Sequence, residues 1–99
     1  MTQYIINVRA TQDLSEISEY LAGISLERSD RFLQDFDRKC LQIVNFPLSG
    51  KSYAEIRPDL RGMVFQGYLI FYRVLENEVE IMRVIAGRRD LTLLFDQPS

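Results

Sequence analysis

Residues 56–90, IRPDLRGMVFQGYLIFYRVLENEVEIMRVIAGRRD, decide the fold. Three runs rich in β-branched and aromatic residues, Leu60–Phe65, Tyr68–Leu75 and Glu78–Ala86, are parted by Gln66-Gly67 and by Glu76-Asn77. Two-residue connections of this kind join antiparallel strands and fix their register. On the first hairpin Phe65 should face Tyr68, Met63 face Ile70 and Arg61 face Tyr72. On the second, Leu75 should face Glu78, Arg73 face Glu80 and Tyr72 face Ile81. Opposite charges at 73 and 80 suit that register, because directly opposed side chains are the local unit of sheet stability. Alternation then places Met63, Phe65, Tyr68, Ile70, Tyr72, Val74, Val79, Ile81 and Ile85 on one face, toward helices. The other face carries Leu60, Val64, Leu69, Phe71, Met82 and Val84, with Arg73 and Glu80. It is too apolar to stand bare in water. Either Tyr53, Ile56 and the C-terminal tail cover it, or a partner does.

Upstream, Gln3–Arg9 alternates as a strand, and Leu14, Ile17, Leu21 and Ile24 form the apolar stripe of a helix over Thr11–Gly23. Thr11 or Asp13 can cap it, Asp13 with Glu16 resembles a capping box, and Gly23 is placed for a left-handed stop. A longer helix over Ser25–Asn45 buries Phe32, Leu33, Phe36, Cys40, Ile43 and Val44. Its other side is charged, with Arg31–Asp35 and Asp35–Lys39 at helical pairing distance. Phe46-Pro47 ends it, and residues 45–58 read as a loop. The expected class is α+β in the order β-α-α-β-β-β, a helical hairpin packed on a mainly antiparallel four-stranded sheet. The 99 residues read as one domain, 1–99, whose tail from about 91 is partly disordered or ordered by a partner.

The composition removes several chemistries. There is no histidine, which takes away the usual general base near neutral pH, the Ser-His and Cys-His nucleophile pairs and the commonest zinc ligand. Cys40 is the one cysteine and falls in the apolar stripe, as core filler suited to a reducing compartment. No Gly-rich phosphate loop, metal cluster or nucleophile elbow is present, so neither cofactor nor metal is expected. A net charge of −2 gives no broad positive field for nucleic acid. No apolar run reaches the length of a membrane span, and the N-terminus lacks the pattern of a secretory signal, so a cytoplasmic location is expected.

Charge is uneven all the same. Six of the twelve basic residues, all arginine, lie in 56–90. Arg57 and Arg61 offer either a positive rim or loop anchors. Arg73 and Arg83 sit mid-strand and read as ion-pair partners. Arg88 and Arg89 follow the last strand on an exposed turn, and Leu93, Leu94 and Phe95 either pack or anchor a partner.

The order of elements, with IRPDLRG at 56–62, YLIFYRV at 68–74, EIMRV at 80–84 and GRRDL at 87–91, resembles the RelE/ParE superfamily of small bacterial toxins, closest to its ParE branch. The resemblance implies a toxin held silent by a cognate, ParD-like antitoxin in a hetero-oligomer. RelE-like members cleave messenger RNA on the ribosome, and ParE-like members poison DNA gyrase. The ribonuclease branch has an arginine directly after the first tyrosine of YxxxY, a second after the last strand and a tyrosine in the tail. Here those positions are Leu69, Arg89 and Phe95, and Ala86 stands where many relatives have histidine. A phosphate stabiliser survives without a group to take the 2′-OH proton. The resemblance therefore implies gyrase as target and no catalytic residue, with Arg57, Arg61, Arg88, Arg89, Leu93 and Phe95 as contacts for it. The antitoxin would lie over the apolar second face, at Leu69, Phe71, Met82 and Val84. RNA cleavage and a non-toxic antitoxin-binding module are the alternatives.

Overall fold

The structure, a computed structural model, describes residues 3–87. The chain runs β1 (Tyr4–Ile6), α1 (Val8–Ile24), α2 (Leu26–Asn45), β2 (Lys51–Ser52), β3 (Arg61–Phe65), β4 (Tyr68–Val74) and β5 (Val79–Ala86). One sheet holds all five strands in the order β1-β5-β4-β3-β2, with β1 parallel to β5 and the other pairs antiparallel. The α+β class is as expected; the fifth strand is the short β2, inside the segment read as a loop.

Both hairpins keep the expected register. Phe65 faces Tyr68, Met63 faces Ile70 and Arg61 faces Tyr72. Gln66 and Gly67 both have positive φ, 49° and 84°, the geometry a two-residue turn needs to follow the twist of its strands. On the next hairpin Tyr72 faces Ile81 and Arg73 faces Glu80, with an Arg73 Nε to Glu80 Oε1 bond of 2.6 Å.

Beyond that pair the alternation breaks. Phe71 lies opposite Arg83, so Met82 is an extra residue in β5. One inserted residue exchanges the faces of everything after it. Val84, expected on the second face, is only 3% exposed and packs in the helix-side core. Ile85, expected on the helix side, joins the second face.

The helices start and stop differently from the expectation, for local reasons. Asn7 ends β1, and its side-chain oxygen accepts from the Ala10 N–H at 3.0 Å. That makes it the N-cap of α1, a role that asparagine fills well. The strand is accordingly shorter than Gln3–Arg9. Gly23 is not left-handed; the extended Ser25 (φ −164°, ψ 124°) both ends α1 and caps α2. The helices are held together by Ser29, which donates to the Ser18 carbonyl at 3.0 Å and meets the Ser18 hydroxyl at 2.9 Å. On α2 the ion pairs among the described residues are Arg31–Glu27 and Arg38–Asp35 rather than those expected, a change of small consequence for exposed charges.

Two apolar clusters result. The larger lies between the helices and the sheet, around Phe32, Phe36, Cys40, Ile43, Ile70, Tyr72 and Ile81. The smaller, Leu60, Leu69, Phe71, Met82 and Ile85, lies on the far face with Tyr53 and Ile56 packed against it. The Tyr53 ring meets Phe71 edge-on, with centroids 5.2 Å apart. Tyr53 and Ile56 thus cover this face as expected, while the tail expected beside them lies outside the described residues.

Candidate functional site

The loop from α2 to β3 is tied to the sheet by two side chains. Tyr72 points through the core; its hydroxyl donates to the Pro47 carbonyl at 2.8 Å and accepts the Gly50 N–H at 3.0 Å. Burial raises its pKa, against the opposing pull of the Gly50 N–H and Arg61. Arg61 donates from Nη1 to the Gly50 and Leu48 carbonyls at 2.8 and 3.3 Å. Of its two readings, the loop anchor is what the contacts show. Arg57 is exposed at the loop's far end.

A second constellation lies at the open side of β5. Strand β1 pairs with β5 only as far as Ile81, leaving the outer edge beyond it without a strand among the described residues. Asp13, one and a half turns into α1, fills part of that gap. Its Oδ2 accepts the Val84 backbone N–H at 3.0 Å, and both its oxygens accept from the Arg83 guanidinium, at 2.8 and 3.0 Å. Arg83 is only 8% exposed, and its Nη1 is buried without a hydrogen-bond partner. Beside it lies an open cavity of about 240 Å³ between α1 and β5. Sequence reading assigned Asp13 to helix capping and missed this pair. The available signal was an arginine inside the apolar run IMRVI, which needs a buried counter-charge.

Elsewhere the described residues are chemically quiet. Cys40 is fully buried, and desolvation, with Asp37 adding to it, pushes its thiol up to about 12, so it is no nucleophile near neutral pH. The Tyr4 hydroxyl donates to Asp37 Oδ1 and is held protonated far above its ordinary range, first by burial and then by that bond. Among the described residues no group of three His, Cys, Asp or Glu could hold a metal ion, and no helix is long and apolar enough to cross a membrane.

The other expected site residues are scattered or lie out of view. Leu69, Phe71 and Met82 are buried beneath Tyr53 and Ile56, and Val84 is in the opposite core, so the four do not make a free apolar face. The bulge at Met82 and the folded-back loop are the two physical reasons. Arg88, Arg89, Leu93 and Phe95 lie outside the described residues.

The chain matches the family model described as "ParE toxin of type II toxin-antitoxin system, parDE" over residues 4–91. It belongs to the ParE toxin family. Among solved structures it is similar to a chain of the chromosomal ParDE TA system from P. aeruginosa, at 25% identity and a TM-score of 0.68, over 87% of this chain and 96% of that one. No curated protein matches it. In this ParE-family chain, the position where the resemblance to RNA-cleaving relatives calls for an arginine is Leu69, a buried member of the far-face cluster. A charged side chain there would have to displace Tyr53 and Ile56 to reach water.

Proposed function

We propose that this ParE-family protein is the toxin of a type II pair, acting in the cytoplasm, that it inhibits DNA gyrase by direct protein contact, and that a ParD-like antitoxin neutralises it in a hetero-oligomer. The family match over 4–91 supports the toxin class, and the ParDE system among similar structures supports an antitoxin of the ParD kind. The single observation that favours gyrase over messenger RNA is position 69. Leu69 stands buried there, with no histidine anywhere in the chain. RNA cleavage needs both a proton acceptor and a phosphate stabiliser, and here the chain keeps an arginine at 89 but has neither a histidine nor the tail tyrosine of the RNA-cleaving relatives.

The target contacts in this reading are the exposed Arg57, then Arg88 and Arg89 after the last strand, with Leu93 and Phe95 as apolar anchors. Arg61 contributes by holding the loop that carries Arg57. Two experiments test the proposal. Expression without antitoxin should filament cells and trigger the response to DNA damage, and the purified protein should inhibit gyrase supercoiling. A prompt block of translation with cleaved messenger would instead establish RNA cleavage, and unimpaired growth a non-toxic binding module. The double variant Arg88→Ala/Arg89→Ala should lose toxicity while keeping antitoxin binding and melting temperature. Full toxicity in that folded variant would remove those arginines from the contact set.

A further inference from the structure

The outer edge of β5 is open where the chain runs on toward its C-terminus. In an antiparallel ladder, successive residues point their backbone groups alternately toward and away from the neighbouring strand. Gly87 donates inward to the Gly67 carbonyl, and Val84 donates outward to Asp13. Ala86 therefore points its N–H and C=O outward, and Val84 its C=O, beyond the end of β1. Beside them is the cavity of about 240 Å³, lined by Ile17 and Tyr20 of α1 and by Val84 and Ala86 of β5. That is below the ~300–1,000 Å³ of small-molecule pockets and suits one or two side chains. Tyr20 lines this cavity yet is 67% exposed. The sequence continues from Gly87 as RRDLTLLFDQPS, residues 88–99. Three charged residues come first, then Leu91-Thr92-Leu93, whose alternation is that of a strand with one apolar face.

We infer that the C-terminal segment of this chain docks on its own β5 edge, with residues 87–90 as the turn, Leu91 opposite Ala86, Leu93 opposite Val84, and the Leu91 side chain in the cavity against Ile17 and Tyr20. Four-residue connections are common in hairpins. Directly opposed residues share a face of the sheet. Val84 packs in the helix-side core, so Ala86, Leu91 and Leu93 point that way and the polar Thr92 points away. The Leu91 N–H and C=O meet the two free groups of Ala86, and the Leu93 N–H meets the Val84 carbonyl. The Val84 N–H, already bound by Asp13, needs no partner from the segment. Tethering favours this occupant, because a short connection from Gly87 holds the segment at a local concentration on the order of millimolar. Charge agrees, since Glu16 lines the cavity and the turn carries Arg88 and Arg89. A second copy of this chain fits poorly, because edge-to-edge pairing would bring two α1 helices and two Glu16 carboxylates together. The docking stands without any target, while its consequence rests on the gyrase reading above. Arg88 and Arg89 are held at the tip of a hairpin, and Leu93 becomes a support for that turn rather than a direct target contact.

The test uses the free, full-length chain. Amide hydrogen exchange should show the Ala86, Leu91 and Leu93 N–H groups protected by roughly 10- to 100-fold over an unstructured amide, with Thr92 unprotected. Magnetisation transfer in NMR should connect the Leu91 methyls with the Tyr20 ring. Leu91→Asp should abolish both signals, whereas Thr92→Asp, with the same charge on the opposite face, should leave them. An Ala86 amide that exchanges freely in the wild-type chain overturns the inference, whether or not the variants fold. Protection unchanged in Leu91→Asp overturns the seat in the cavity. Protection that disappears on dilution, as a dimer dissociates, gives the edge to a second copy and also overturns it. For the consequence, Leu91→Asp should weaken gyrase inhibition by about 10-fold with both arginines intact, the cost of ordering a turn that is no longer held. Full inhibition by a Leu91→Asp chain that has lost its protection refutes that role for the docking. If the wild-type chain does not inhibit gyrase at all, the target reading falls, and exchange still decides the docking.

Discussion

Replacing Asp13 with alanine is the sharpest test of how this fold is closed. The carboxylate accepts three hydrogen bonds, from Arg83 at 2.8 and 3.0 Å and from the Val84 N–H at 3.0 Å. Its side chain is 13% exposed and that of Arg83 10%, so neither partner has ready recourse to water. Removing one member of a buried pair strands the other charge, which costs about 3–5 kcal/mol. The Val84 N–H adds a smaller cost, of order 1 kcal/mol, that water entering the adjoining cavity can partly offset. A net loss of about 4 kcal/mol is a large share of the ~5–15 kcal/mol that stabilises a single domain. At ~4–8 °C per kcal/mol for this size, the melting temperature should fall by roughly 15–30 °C. The companion is Asp13→Ala/Arg83→Met, which removes the stranded cation and fills its volume with an apolar chain. The double variant should regain most of the lost stability. Thermal and urea unfolding of the four proteins decide the matter. A single variant melting within a few degrees of wild type refutes the claim that the pair closes this edge. A double variant no more stable than Asp13→Ala refutes the stranded charge as the cause.

Tyr72→Phe should cost about 1–3 kcal/mol, because it leaves the Pro47 carbonyl and the Gly50 N–H without their partner; hydrogen exchange should quicken over residues 47–53 while the Ile70–Val84 ladder stays protected. Gly50→Ala should destabilise by a similar ~1–3 kcal/mol, since a methyl there would overlap the Tyr72 hydroxyl and come within 2.9 Å of the Gly62 carbonyl; a melting temperature equal to wild type would show that the loop shifts freely. Cys40 makes the fold sensitive to alkali: its thiol ionises near 9 when unfolded and about 12 when folded, so the unfolded chain loses its proton first. Its contribution is complete below pH 9 and falls by about 1.4 kcal/mol per pH unit above it, up to about 12. Wild type should lose stability faster than Cys40→Ala from pH 9 to 11, and equal slopes would exclude the thiol as the cause. At neutral pH a thiol-reactive dye should label Cys40 only at the rate of unfolding, and prompt labelling would contradict its burial.

The strand meander was legible because its two turns carry the residues that two-residue turns require, and turn length sets register. The Tyr72–Ile81 and Arg73–Glu80 pairings follow from that and from a visible charge match. The exchange of Val84 and Ile85 was not legible. A bulge inserts a residue without changing the apolar character of the run, and IMRVI satisfies either parity. The start of α1 was misplaced for a related reason. Ile5 and Ile6 suit a strand, and Val8 continues their alternation, so the pattern hides the one residue, Asn7, whose side chain favours a cap. Residues 45–58 read as a loop, yet Tyr53 and Ile56 stand out within it as apolar residues that fold back on the core. Tyr72 carries no outward sign that its hydroxyl reaches Pro47 and Gly50, 25 and 22 positions back in the chain. Contacts of that separation are set by packing and leave no local pattern.

The closed second face changes what an antitoxin has to do. Leu69, Phe71 and Met82 are already covered, with Tyr53 seated against Phe71 and directly over Gly62, where even a β-carbon would come within 2.7 Å of its ring. A partner binding those residues would first have to lift the loop, exposing the far-face cluster and losing its burial at ~25 cal/mol per Å² of apolar surface. Among the described residues, surfaces that need no such opening include Val8 and Tyr20 on α1, the hairpin tip at Ile24 and Leu26, Phe46 and Leu48 after α2, Val64 on β3, and the unpaired part of β5. The β5 edge lies beside the open cavity between α1 and β5. An isolated apolar side chain such as Val64, though 70% exposed, is common on any protein surface and specifies no partner.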